Sequence, residues 1–265
     1  MSIRVHYLTH STFTVAFDDL LLLLDRGSVP ATDPPALMDD AIAAVLADPR
    51  PKLAFSTHRH PDHYDPDFMH AWRALGNDYY LIDEWDADPK TAGDDILPDI
   101  LYPRSGLVNR YGRFWITGST DLGGSVMFQH GDHLIYFAGD LAVWDDEAVF
   151  YDGFEREVSW LEQRFAEARL PRPDIIFLPC STSDGWQEKP LLDGMARIIT
   201  SLNPRYVIPM HAKGYEKFYK SFTAEMKDRL RKLSIAPFTG EFSLVGDAPT
   251  VVLFQSEDGG SVTFK

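Results

Sequence analysis

Four side chains that can bind a metal ion lie within six residues of one another: His58, His60, Asp62 and His63. In an extended segment the side chains of residues i and i+2 point the same way, so His58 and His60 can bind one ion. Asp62 and His63 are adjacent, and a turn there could direct both at a second ion. Imidazole and carboxylate ligands suit zinc, iron or manganese. We therefore interpret the segment as a metal-binding motif rather than a solvated polar loop.

Two further ligand candidates follow short apolar segments that we predict to be strands. Asp140 comes after the predicted strand at residues 134–138, and His211 comes after the predicted strand at residues 206–208. Because α/β sheets place their sites at the carboxyl ends of strands, both side chains are expected near the histidine motif.

These residues resemble the metallo-β-lactamase superfamily. The resemblance rests on the spacing of the histidine motif, on Gly139-Asp140 and on His211. It extends to the N-terminal segments Thr9-His10-Ser11-Thr12-Phe13 and Leu24-Asp25-Arg26-Gly27. It implies an α/β fold, a four-layer αββα sandwich in which two mixed sheets face each other with helices outside. It also implies one or two bound metal ions and hydrolysis by a metal-bound hydroxide.

The sequence departs from this family at one ligand. The family usually supplies a third histidine to the first metal, between the motif and the later aspartate, but residues 118–125 contain no histidine. His130 and His133 flank a predicted hairpin tip, roughly 26 Å of strand away from Asp140. Asp121 precedes the same hairpin, and a subgroup of the superfamily has a similar Gly-Ser-Thr-Asp pattern. We infer that Asp121 replaces the missing histidine.

The resemblance then implies two ligand sets that share Asp140. The first ion is bound by His58, His60, Asp121 and Asp140, and the second by Asp62, His63, Asp140 and His211. Zinc is the first expectation for both divalent ions. A carboxylate in place of an imidazole weakens the Lewis acidity of the first metal and favours manganese or iron(II). In a variant with a single metal, Asp62 would be a general base.

Three residues are expected around these ligands. Asp25 could accept a hydrogen bond from a ligating histidine, as carboxylates near metal sites often do. His10 is either an ordinary hydrogen-bonded histidine at a strand end or a pocket residue. Lys213 follows His211 and could bind an anionic group of the substrate. Cys180 is the only cysteine, and we expect a buried thiol rather than a nucleophile.

The elements that must position these residues alternate between short apolar segments and segments with helical periodicity. We predict strands at residues 3–8, 13–17, 20–24, 53–56, 114–116, 125–128, 134–138, 175–178, 206–208, 251–254 and 261–264. Helices are predicted between them, the first from residue 33 to about 46. The acidic stretch 83–99 is predicted to be a solvated loop. All 265 residues would form one domain, with two similar halves at roughly 1–110 and 111–265.

Composition and charge exclude several classes of partner. The formal net charge of −15 disfavours nucleic acid and anionic membranes. We find no signal-peptide pattern, and a single cysteine cannot form an intrachain disulfide, so we expect a cytoplasmic protein acting on a small molecule. The sequence leaves the oligomeric state open.

Three functions remain compatible with the sequence. The leading hypothesis is a metal-dependent hydrolase of an ester, lactone, amide or phosphodiester. The second is an oxygen-dependent enzyme with one non-haem iron, because His58, His60 and Asp121 form a set of two histidines and one carboxylate. The third is a non-catalytic scaffold, in which the lost histidine marks a degenerate site.

Overall fold

The computed structural model describes residues 2–27, 35–83, 98–182, 188–212, 217–230, 233–244, 249–255 and 259–265, and in residues 35–38 only the backbone. Sixteen strands and five helices lie in these ranges. The strands are β1 (Ile3–Thr9), β2 (Thr12–Ala16), β3 (Leu21–Leu24), β4 (Lys52–Ser56), β5 (Asp78–Ile82), β6 (Asp99–Leu101), β7 (Gly106–Asn109), β8 (Gly112–Ile116), β9 (Val126–His130), β10 (His133–Phe137), β11 (Ile175–Pro179), β12 (Tyr206–Met210), β13 (Ser234–Pro237), β14 (Gly240–Phe242), β15 (Val251–Phe254) and β16 (Ser261–Phe264). The helices are α1 (Pro35–Ala47), α2 (Pro66–Ala74), α3 (Ala148–Ala168), α4 (Lys189–Leu202) and α5 (Lys217–Arg229).

The strands form two mixed sheets of eight strands each. The first sheet has the order β14-β16-β1-β2-β3-β4-β5-β6, and the second has the order β13-β15-β12-β11-β10-β9-β8-β7. In each sheet an antiparallel group, β1 to β3 or β8 to β10, leads into parallel strands. Two C-terminal strands return to the first sheet, so sheets and chain halves do not coincide. The division into two similar halves stays a prediction.

Alternating side chains of β3 show how the layers pack. Leu22 and Leu24 lie in the large core between the sheets, whereas Leu21 and Leu23 face a second core under α1 and α2. Successive strand side chains point to opposite faces, so a strand covered on both faces must be apolar throughout. Helices α3 to α5 cover the outer face of the second sheet and contribute to the large core. The predicted αββα sandwich of a single domain is therefore confirmed.

Helix α2 shows the local signals that end the histidine motif. Asp65 is its N-cap, and its side chain accepts a hydrogen bond from the Phe68 amide at 3.0 Å. Pro66 occupies the first turn, where no intrahelical hydrogen bond from its nitrogen is needed. The helix therefore starts directly after the ligand-bearing segment and fixes its end.

Several elements differ from the sequence predictions. No strand was predicted at β5, β6, β7, β13 or β14. Four of these five are edge strands and β5 is next to an edge, and β7, β13 and β14 are half-exposed or exposed throughout. The acidic stretch at 83–99 lies mostly outside the described ranges, but its last residue begins β6. No helix in the described part of the chain is long and apolar enough to span a membrane.

Candidate metal centre

The first group of ligand atoms lies at the carboxyl end of β4 and contains His58, His60, Asp121 and Asp140. His58 Nε2 lies 3.1 Å from His60 Nδ1 and 3.6 Å from Asp140 Oδ2. Asp121 Oδ2 lies 3.1 Å from His60 Nδ1 and 3.9 Å from His58 Nε2. The fold thus brings together the four residues predicted for the first ion, including the carboxylate inferred from the missing histidine.

The second group contains Asp62, His63 and His211 together with His10. Asp62 Oδ2 lies 3.5 Å from His63 Nε2 and 3.7 Å from His211 Nε2. The same oxygen lies 3.1 Å from His10 Nε2. Three of these residues were predicted as ligands of the second ion, and His10 was expected at a strand end or in a pocket.

Asp140 lies between the two groups and is almost fully buried. Its Oδ2 atom is 3.6 Å from His58 Nε2 and 3.6 Å from His211 Nε2, and its Oδ1 atom is 3.2 Å from His63 Nε2. The Trp144 indole donates a hydrogen bond to the Asp140 carbonyl at 3.0 Å. One carboxylate therefore faces histidines of both groups, the position that a bridging ligand needs.

Asp25 is fully buried at the end of β3 and accepts three hydrogen bonds through its side chain. The Thr57 amide donates to Oδ1 at 2.8 Å, the Thr57 hydroxyl donates to Oδ2 at 2.8 Å, and His63 Nδ1 lies 2.6 Å from Oδ2. The Thr57 hydroxyl oxygen also lies 3.1 Å from His58 Nδ1. A proton on Nδ1 of each histidine leaves both Nε2 atoms as acceptors directed at the ligand groups.

The loop that carries Asp121 is packed against the histidine motif. The Gly124 amide donates to the Thr57 carbonyl at 3.1 Å. Gly123 has a φ of +61°, and a Cβ atom there would lie 2.0 Å from the Thr57 carbonyl oxygen. Thr120 Oγ1 donates to the Ala142 carbonyl at 2.5 Å, next to the Asp140 segment. These contacts hold the carboxylate of Asp121 beside His60.

A buried carboxylate on α3 supports the other end of this loop. Glu157 is 2% exposed, and its Oε2 atom accepts a hydrogen bond from the Gly118 amide at 3.0 Å. Arg104 forms an ion pair with Glu157 Oε1. The supporting roles of Glu157, Thr57 and Thr120 have no signal in the sequence, because they depend on contacts with Gly118, Asp25 and Ala142, which are 22 to 39 residues away in the chain.

Left-handed backbone conformations are concentrated at this centre. Among the described residues other than glycine, six have a positive φ, and three of them are His10 (48°), Asp25 (46°) and His211 (64°). Two of the other three, Arg169 and Asn203, are helix C-caps. Such conformations cost about 1–3 kcal/mol each and persist where the surroundings impose them, often at functional sites.

Burial and neighbouring charges lower the pKa values of two histidines and two carboxylates at the site. Burial lowers the pKa of His58 to about 3 and that of His10 to about 4. For Asp140, burial alone would raise the pKa, but His63, His211 and His58 outweigh it and hold the pKa at about 2. Asp62 is likewise held well below its ordinary pKa, because the hydrogen bond with His10 and the nearby imidazoles of His211 and His63 outweigh burial. The carboxylates of Asp140 and Asp62 are therefore ionised and can bind a cation.

The pKa values of His63 and His211 are shifted upwards instead. Burial alone would lower their pKa values, but the Asp140 carboxylate holds both above the ordinary value for histidine. A metal ion binds neutral imidazole, so it would displace these protons.

Three buried ligand atoms test whether a metal ion fits the residues present. His63 Nε2, His211 Nε2 and Asp140 Oδ1 have no hydrogen bond within the described ranges. Buried polar atoms are normally paired, and an unpaired one costs about 1–3 kcal/mol. The Nδ1 atoms of both histidines already have partners, since His211 Nδ1 lies 3.0 Å from the Ser181 carbonyl. The donor set therefore fits divalent ions.

The remaining predicted residues lie as follows. Lys213 falls outside the described residues. His130 and His133 lie at the tip of the β9–β10 hairpin, where their rings contact Asp19 and Asp174. Cys180 is fully buried, and burial raises the pKa of its thiol well above the ordinary value.

Comparison with known proteins gives matches at the level of structure. No protein-family model and no curated protein matches the sequence. A metallo hydrolase from Ignicoccus hospitalis superposes with a TM-score of 0.62 at 18% identity, covering 100% of this chain and 99% of the other. The metallo-β-lactamase fold protein YhfI from Bacillus subtilis gives 0.60 at 14% identity, with 98% of each chain covered. A diiron β-hydroxylase from Streptomyces venezuelae gives 0.58 at 11% identity, covering 98% of this chain and 53% of the other. The chain therefore has the metallo-β-lactamase fold, as its motifs predicted.

Proposed function

We propose that this protein is a metal-dependent hydrolase that acts on a small molecule at a site for two divalent ions. The proposal is supported above all by Asp140, whose buried carboxylate faces histidines of both ligand groups while one of its oxygens has no hydrogen bond in the described structure. Zinc is the first expectation for both ions, with manganese or iron(II) as alternatives.

Bound divalent ions would supply an activated water molecule and polarise the carbonyl or phosphoryl oxygen of the substrate. The side chains of His58, His63 and His211 are at most 1% exposed, so they can only bind and orient. The side chains of His60, Asp121 and Asp62 are 43%, 33% and 28% exposed. Substrate would therefore approach from the side of these three residues.

Asp62 is the candidate for moving a proton if only one ion is bound. Its pKa lies well below the ordinary value, which makes it a weak base in the metal-free protein. With two ions bound it would act as a ligand. If the protein binds a single ion, we propose that Asp62 acts as the general base.

The proposed substrate classes follow from the bonds that two divalent ions can activate, and not from a sequence motif for one substrate. Esters, lactones, amides and phosphodiesters all present an oxygen that divalent ions can polarise. The acidic chain disfavours long polyanions, so a small molecule is the proposed substrate. The fold likeness to a metallo hydrolase from Ignicoccus hospitalis supports the reaction class.

Metal analysis by mass spectrometry, followed by a substrate panel, tests the proposal. We expect two ions per chain in the wild type and one in Asp121→Ala. Hydrolysis of at least one ester, lactone, amide or phosphodiester should require both ions. His133→Ala, at the far hairpin tip, is the matched control and should keep both ions. A wild-type protein that binds no ion after metal resupply would contradict the proposal and favour a non-catalytic scaffold.

An oxygen-dependent iron enzyme is the second candidate. Asp121 gives the first group two histidines and a carboxylate, which suits non-haem iron(II). The structural likeness to a diiron β-hydroxylase from Streptomyces venezuelae also favours it. Iron that copurifies with the protein, together with oxygen consumption that depends on an added organic substrate, would replace the hydrolase proposal.

A further inference from the structure

His10 lies at the end of β1 with its ring beside those of His63 and His211. The ring centroids are 5.8 Å and 4.3 Å apart, respectively. We propose that His10 is a direct ligand of the second metal ion. The second ion would then have four donors besides Asp140: His10, Asp62, His63 and His211. This inference rests on the proposed metal site and assigns His10 a role within it.

The distances around Asp62 support direct binding. Its Oδ2 atom lies 3.1, 3.5 and 3.7 Å from the Nε2 atoms of His10, His63 and His211. Ligands at 2.0–2.2 Å in a tetrahedron are about 3.3–3.6 Å apart. The ligand atoms of all four residues lie within 4.8 Å of one another. His10 therefore completes a set of the size that one ion requires.

The backbone of His10 has a left-handed conformation, as does that of the ligand candidate His211. The His10 amide donates to the Tyr7 hydroxyl at 2.9 Å, and its carbonyl accepts from the His211 amide at 3.2 Å. The Tyr7 and Tyr219 hydroxyls are 2.9 Å apart. These hydrogen bonds fix the backbone of His10 just beyond the end of β1. They hold the left-handed conformation that directs the imidazole at Asp62.

With His10 as a ligand, the two ions differ in the number and the exposure of their protein donors. Five protein donors would surround the second ion, whereas the first would have four, two of them in side chains that are a third or more exposed. The side chains around the second ion are less exposed, since His10 is 14% exposed, Asp62 is 28% exposed and His63 and His211 are at most 1% exposed. The first ion should therefore exchange with solvent more easily and be the first to leave.

The experiment compares zinc binding by wild type, His10→Gln and His6→Ala, measured by competition with a chelator. Glutamine keeps a hydrogen-bond donor for Asp62 but replaces the imidazole ligand. We expect His10→Gln to lower the affinity for one zinc ion by about 100-fold or more and to leave the affinity for the other unchanged. A loss of this size exceeds the range found for residues that only contact a ligand. His6 lies on the same strand and contacts the Gly259 carbonyl, so His6→Ala should bind as the wild type does.

X-ray absorption of the zinc-loaded protein gives a readout that does not depend on activity. The mean number of imidazoles per zinc should fall in His10→Gln, and circular dichroism in chelator should show an unchanged fold. If His10→Gln binds two ions as tightly as the wild type, His10 is not a ligand. A wild type without metal would overturn both proposals. Two ions without hydrolysis would overturn only the proposed function.

Discussion

A single buried carboxylate controls a histidine in each ligand group. Asp25 accepts from His63 directly and from Thr57, whose hydroxyl in turn contacts His58. Removing the charge while keeping the size, as in Asp25→Asn, should weaken binding of both ions. Mutations of such outer partners cost about 10–100-fold in affinity. Thr57→Val removes the hydroxyl that connects Asp25 to His58 but leaves the contact between Asp25 and His63, so it should mainly weaken binding of the first ion. Zinc competition with a chelator measures both effects.

Asp174→Asn is the matched control for this prediction. Asp174 is also buried and contacts a histidine, His133, but at the opposite end of the second sheet. Its loss can destabilise the fold without touching the metal centre. Equal loss of zinc affinity in Asp25→Asn and Asp174→Asn would show that the effect comes from general destabilisation.

The carboxylate of Asp121 should set metal preference. Asp121→His introduces an imidazole at this position and removes one negative charge. Because imidazole favours zinc over manganese, we expect the ratio of zinc affinity to manganese affinity to rise. Competition between the two metals in the purified protein measures this ratio. An unchanged ratio would argue that Asp121 does not bind the first ion.

At the scale of elements, the loop of residues 117–125 positions Asp121 by backbone contact. Gly123→Ala places a Cβ atom against the Thr57 carbonyl, so the loop has to move. Gly131 has a similar φ of +58° at the β9–β10 tip, but no atom lies within 4 Å of its Cβ position. We expect Gly131→Ala to cost about 1 kcal/mol and Gly123→Ala more, with loss of the first ion in the latter. Urea unfolding in chelator and metal analysis check both.

Two outcomes would contradict a role for the close approach of Gly123 to Thr57. If Gly123→Ala retains both ions at wild-type affinity, the contact with Thr57 is not what holds Asp121. If both variants lose equal stability, strain in the backbone rather than the close approach explains the cost.

The elements that the sequence predicted best are those with a strong local pattern. Four successive leucines in β3 and the capped start of α2 need no distant information. The strands β13 and β14 were missed because they are short, exposed in large part and defined by their partners, β15 and β16. His10 was left open for the same reason, since its place beside His211 depends on contacts between β1 and the end of β12.

At the scale of the whole molecule, the candidate centre joins the two sheets. His58, His60, Asp62 and His63 follow β4 of the first sheet, whereas Asp140 and His211 follow strands of the second. Bound ions would therefore add links between elements that otherwise meet through apolar packing and a few backbone hydrogen bonds. A ligand that binds only the folded state at 100 times its Kd adds about 2.7 kcal/mol. For a chain of this size we expect chelation to lower Tm by about 5–10 °C. Calorimetry with and without chelator measures the difference.

The stabilisation by metal should increase with pH. In the metal-free protein, the pKa values of His63 and His211 are raised above 6.5, because Asp140 outweighs the effect of burial. A raised pKa in the folded state stabilises the metal-free protein at low pH, and this contribution is lost as pH rises through the raised values. Metal ions replace these protons, so their binding strengthens over the same range. The difference in Tm between metal-loaded and chelated protein should therefore grow as the pH rises above the ordinary histidine pKa of about 6.5. Asp140→Asn removes the largest raising contribution to both pKa values and should weaken the pH dependence of the chelated protein. A difference in Tm that stays constant across this range would contradict the assignment of His63 and His211 as ligands.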